Sequence, residues 1–199
     1  MKCNRFSFIP ARFILPFCIS ALSAFTTAGA HEAHVHGVGN LDVAIDSNTL
    51  SLHLATPLIN LLGFEHAANS APDRQATKKM GAQLHAAASI FAITPAAQCK
   101  PVSVKLVSAV LGAALLGEAP STAAADAASL GNTAPDKHDG HANLDGDFVF
   151  SCAHPEQIKA IDVKLFDLYP GFHSINVQAV TLKGQSAATL TPGSTSIPF

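Results

Sequence analysis

An α+β fold, an antiparallel sheet with short helices and one disulfide, is what this sequence predicts, and three observations lead there. Apolar and polar residues alternate in several short runs, the period of a half-buried strand. One longer segment, residues 70–91, switches to a helical period. Beyond the first thirty residues the chain keeps two cysteines, Cys99 and Cys152.

Residues 1–30 read as a cleaved secretion signal. Lys2, Arg5 and Arg12 supply positive charge with no acid among them, and Phe13 to Phe25 is mostly apolar. Ala28 and Ala30 fit the small-residue rule at positions −3 and −1 of a cleavage site. The apolar run is short for a bilayer span and Pro16 interrupts it, so the chain is expected to be periplasmic and not membrane-spanning once cleaved. Setting these residues aside leaves 9 of the 12 Lys+Arg against 14 Asp+Glu, a formal charge of −5. That balance disfavours nucleic acid and anionic membranes and suits a protein that attracts cations. In an oxidising compartment Cys99 and Cys152 read as a disulfide, whose loop closure contributes roughly 4 kcal/mol in the chain-entropy model. A pair of thiolate metal ligands is the alternative.

Along the chain, Leu41, Val43 and Ile45 alternate with Asp42, Ala44 and Asp46, Asp46-Ser47-Asn48-Thr49 supplies a turn, and Leu50, Leu52 and Leu54 alternate again. Residues 40–56 are therefore expected to form a β-hairpin, ended by Pro57 and followed by a short apolar turn or helical turn over 58–64. Ser70 is placed to cap a helix with Pro72 and Asp73 in its first turn. Ala76, Met80, Leu84, Ala87 and Phe91 give that helix one apolar face, and Thr94-Pro95 closes it. Val102, Val104 and Leu106 resume strand alternation. The sequence divides the remainder into an Ala-rich linker and a His/Asp loop (109–147) and a C-terminal half (148–199), with 31–108 as the N-terminal half. In the last part 148–152, 161–165, 174–181 and 186–190 read as strands. A loose echo links residues 50–64 with 161–172: each runs strand, apolar turn, Gly-Phe, through duplication or chance.

Chemistry concentrates in the histidines. His31-Glu32-Ala33-His34-Val35-His36-Gly37 follows the signal directly. On an extended segment His34 and His36 share a face, and neutral imidazole is a common ligand for zinc and also suits copper and nickel. His31 and Glu32 could assist; a flexible terminus with no ordered site is the plainer reading. Glu65-His66 offers a carboxylate and an imidazole in a turn, and His138-Asp139-Gly140-His141 offers imidazole and oxygen donors on an acidic loop. Asp145-Gly146-Asp147 lacks the ligand series and closing glutamate of a calcium loop. His53, His85, His154 and His173 read as structural: His53 on the outer face of its strand, His85 beside the helix stripe, His173 in a turn. No nucleophile elbow, zinc-protease helix or phosphate-binding glycine loop is present, so the chain is not read as an enzyme.

The segments His31–Val38, Leu41–Leu54, Pro57 with Asn60, Gly63-Phe64-Glu65-His66, Cys99 with Phe150-Ser151-Cys152, and Ile161–Phe166 together resemble the ZrgA-like family of exported zinc-binding proteins. The resemblance implies zinc binding in the periplasm and delivery to an ATP-driven (ABC-type) zinc importer. It supports His34, His36, Glu65 and His66 as parts of recurring motifs and implies a part for the central His/Asp loop. Here that loop carries only His138 and His141, where long histidine runs are common. The expected function is periplasmic divalent-metal binding, zinc first, by His34, His36, His66, Glu65, His31, His138 and His141, with release as imidazoles protonate below about pH 6.5. The competing reading is a cell-envelope interaction protein with incidental histidines.

Overall fold

A two-residue turn sets the centre of the main sheet. In the computed structural model, which describes residues 35–119 and 142–199, β1 (Val38–Asp46) and β2 (Thr49–Pro57) pair antiparallel, from Asn40 opposite Ala55 to Asp46 opposite Thr49. Ser47 takes a positive φ of 51° at the tip. Asn48 then ties the tip to a distant strand: its Nδ2 donates to the Cys152 carbonyl at 3.0 Å, and its own carbonyl accepts the Cys152 N–H at 2.8 Å.

Every described residue falls within one unit, Ala33–Phe199. After β2 come α1 (Ile59–Leu62), α2 (Ala71–His85), α3 (Ala87–Ile90), β3 (Phe91–Ile93) and β4 (Cys99–Val107). Beyond the undescribed segment lie β5 (Asn143–Cys152), β6 (Ala160–Val163), α4 (Leu165–Leu168), β7 (Ser174–Thr181), β8 (Gly184–Leu190) and β9 (Ser196–Pro198). Among the described residues the strands make a six-stranded sheet, β4-β5-β2-β1-β7-β8, and a three-stranded sheet, β3-β6-β9. The fold is α+β and mostly antiparallel, as the alternation predicts. One pair departs: β1 and β7 run parallel, Val38 opposite Ser174, so the main sheet is mixed.

The inward side chains of the main sheet (Leu41, Val43, Leu50, Leu52, Leu54, Phe148, Phe150, Val177) join Met80 and Leu84 of α2 and Ile90, Ile161 and Val163 in one buried cluster. Phe91 meets Phe148 edge to face, ring centroids 5.0 Å apart, which locks β3 over β5. Cys99 and Cys152 stand opposite each other on β4 and β5 and are joined by a disulfide, S–S 2.02 Å.

Three elements differ from the sequence reading. The expected helix over 70–91 begins as predicted, with a reciprocal Ser70–Asp73 capping box, but ends at His85. Ala86 leaves helical geometry (φ −80°, ψ 52°), and Phe91 becomes a strand residue because it pairs with Val163. Leu165 starts the one-turn helix α4 instead of continuing a strand. Residues 143–147, expected in a loop, are the first half of β5, and Leu111 and Leu116, expected in the linker, are buried. His85 Nε2 donates to the Leu116 carbonyl at 3.0 Å, holding that segment on α2.

Tyr169, the chain's single tyrosine, is 4% exposed and donates to Gln83 Oε1 at 3.3 Å. Burial pushes its phenol from 10.0 up to about 12. The folded chain therefore keeps a proton that the unfolded chain loses near pH 10, so this contribution to stability is complete below pH 10 and falls away as pH rises toward 12. Alkaline titration of the phenolate absorbance should give a midpoint near 12 in the folded protein, returning to about 10 in urea. A folded-state midpoint near 10 would contradict the burial.

Candidate metal centre

One end of the main sheet gathers the start of β1, the end of β2, the start of β5 and the start of β7. A buried amide organises it. Asn60, 3% exposed on α1, accepts the Gly37 N–H at 2.7 Å and donates to the Val38 carbonyl and to Thr56 Oγ1, both at 3.0 Å. The segment entering β1 is thus pinned to the exit of β2, where local sequence alone supplies no pairing.

From the other side, the Gly37 carbonyl accepts the N–H groups of His173 (2.7 Å) and Ser174 (3.0 Å). Gly37 has φ +84°, and a side chain there would stand 2.6 Å from His173 Nδ1, so only glycine fits against that ring. Gly171 is equally constrained, because a Cβ would approach the Asn60 carbonyl to 2.5 Å. The residue before Gly37 is therefore held in place by its neighbours' backbone.

That residue is His36. Its Nε2 lies 3.5 Å from Glu65 Oε2; the His36 side chain is 49% exposed and that of Glu65 only 11%. The gap exceeds an ordinary hydrogen bond of 2.7–3.2 Å. It matches the roughly 3.4 Å that separates two ligands bonded at about 2.1 Å around a tetrahedral zinc. A sheltered carboxylate stands beside an accessible imidazole, and both groups are of the type that ligates zinc.

His66 does not join them directly. Its ring stacks on Phe64, centroids 4.6 Å apart, and its Nδ1 lies 3.0 Å from the Ala67 carbonyl. With the proton on Nδ1, that bond leaves Nε2 as the donor atom on an exposed, oriented ring. Among the described residues no group of three or more His, Cys, Asp or Glu side chains is arranged to hold a metal ion. His31, His34, His138 and His141 lie outside the described residues. His173, read from sequence as a turn residue, belongs to this end through Gly37. The signal for it was the echo between Gly63-Phe64 and Gly171-Phe172, since each Gly-Phe leads into a histidine-bearing loop.

The family model of the ZrgA family of zinc uptake proteins matches residues 33–199. The chain belongs to the ZrgA family. No curated protein matches it. Membership ties this chain to zinc uptake, in a family that is not one of enzymes. No helix among the described residues is long and apolar enough to cross a membrane.

Proposed function

We propose that this ZrgA-family protein is an exported carrier that binds zinc reversibly in the periplasm and passes it to an ABC-type importer. The observation that carries the reading is the 3.5 Å approach of His36 Nε2 to Glu65 Oε2, held by Asn60. Two ligands are too few for a tight zinc site, which takes three or four protein donors. His66 is the nearest further imidazole in sequence. His34 is two residues from His36, and His141 adjoins Ala142, whose carbonyl accepts the Leu58 N–H at 2.7 Å just ahead of α1. These, with His31 and His138 as secondary contributors, make up the proposed ligand supply. Copper and nickel use the same donors, so ligand type alone does not select zinc. Residues 1–30 act as the export signal in this reading, and a family match beginning at residue 33 supports it.

Calorimetric titration of chelator-treated protein at neutral pH tests the proposal. Zinc should bind, and His36→Ala or Glu65→Gln should each weaken it tenfold or more, about 1.4 kcal/mol or more. Absence of zinc binding defeats the reading. Unchanged affinity in both variants favours an envelope interaction protein with incidental histidines.

A further inference from the structure

The outer face of the main sheet carries a second constellation that the His36 end does not use. His53 on β2 stands opposite Asp42 of β1 on one side and Asp147 of β5 on the other, and Asp145 lies diagonally beyond. His53 Nδ1 is 2.7 Å from Asp147 Oδ1, and its Nε2 is 4.0 Å from Asp145 Oδ1. These side chains are between 43% and 55% exposed. His53 and Asp147, with Asp42, Ala44, Ser51 and Gln178, line a shallow cavity of about 540 Å³, and Asp145 lies outside its lining.

We propose that this face holds a second divalent-cation site, with His53 Nε2 and Asp145 as ligands and Asp147 as the residue that orients the imidazole. The chemistry follows from the two distances. A 2.7 Å contact to a carboxylate fixes the proton on Nδ1 and makes Nε2 the lone-pair nitrogen, the carboxylate–histidine–metal arrangement. The 4.0 Å gap from Nε2 to Asp145 is too long for a hydrogen bond. Two zinc bonds of about 2.1 Å at the tetrahedral angle span about 3.4 Å, so the half-exposed Asp145 carboxylate closes the remaining roughly 0.6 Å by a side-chain rotation when an ion enters. Asp42 adds negative charge from β1, while Lys105, opposite Asp147 on β4, offsets part of it. Two protein ligands leave the other coordination positions to water, so the ion exchanges readily. The site is separate from the His36–Glu65 pair, and its existence does not depend on that pair binding zinc.

The test follows the His53 imidazole by NMR, its resonance assigned with His53→Gln, during zinc titration of a chain carrying His36→Ala, Glu65→Gln and His66→Ala. The His53 signal should move saturably. Asp147→Asn should weaken the response 10–100-fold, and Asp145→Asn should weaken it at least as much. A lone exposed imidazole would respond equally with or without Asp145, and that result overturns the proposal. A His53 signal that stays still also overturns it. If the unmutated chain meanwhile takes up zinc by calorimetry, the His36–Glu65 reading survives that failure. Conversely, a His53 response alongside unchanged affinity in the His36 and Glu65 variants upholds this site and defeats the other.

Discussion

Replacing Asn60 by alanine should destabilise the protein by about 3–5 kcal/mol and weaken zinc binding together. The side chain is 3% exposed and makes three hydrogen bonds, to the Gly37 N–H, the Val38 carbonyl and Thr56 Oγ1. Truncation leaves these groups without that partner, the Gly37 and Thr56 bonds being buried and the Val38 bond part-buried, and each buried loss costs about 1–3 kcal/mol. The same bonds fix the segment that presents His36 to Glu65, so the donor pair loses its spacing as the chain loses stability. Asn60→Asp keeps the acceptor for Gly37 but removes both donors and buries a carboxylate, so it should fare no better. Urea unfolding gives the first effect and zinc calorimetry the second. A loss under 1 kcal/mol would show that Asn60 does not organise this end, and unchanged affinity in a folded variant would separate it from the metal.

The residues that sequence reads well are those whose partners are near in the chain. The β1–β2 hairpin needs only its own alternation and the Asp46–Thr49 turn, and the start of α2 needs only Ser70 and Asp73 three residues on. Distant partners decide the rest. Nothing in Ser89-Ile90-Phe91 announces that Phe91 will leave the helix, because the reason is Val163 on β6. The start of β5 resembles a loop, since Asp145-Gly146-Asp147 is turn-like in composition; it is a strand because it lies along β2 from Pro57 to Thr49. That misreading also hid the second constellation. His53 was legible as an outward residue, but its 2.7 Å contact with Asp147 spans 94 positions. The candidate site shows the same division. Glu65-His66 and the histidines after the signal stand out as motifs, whereas the pairing of His36 with Glu65, and the approach of His173 to Gly37, depend on Asn60 and on the parallel seating of β7 beside β1.

Breaking the disulfide should produce the opposite pattern from the loss of Asn60: a large fall in stability with zinc affinity retained. Cys99 and Cys152 close a loop of 53 positions, and in the chain-entropy model opening it costs roughly 4 kcal/mol. The bridge sits where it can act. Among the described residues β4 is an edge strand, paired on one side only, and Cys99 is its first residue. Cys152 ends β5 beside the hairpin tip, where Asn48 already holds it by two hydrogen bonds. That tip is the end of β2 away from Pro57, so the disulfide lies at the opposite end of the sheet from Gly37 and Asn60. Cys99→Ser with Cys152→Ser should therefore shift the urea midpoint sharply while the folded fraction titrates with zinc as the parent does. Should zinc affinity instead fall in parallel with stability, the two ends of the sheet would be coupled and Cys99 and Cys152 would have to be considered with the metal site. Should stability barely change, the β4–β5 ladder and the Asn48 contacts would be holding this end unaided.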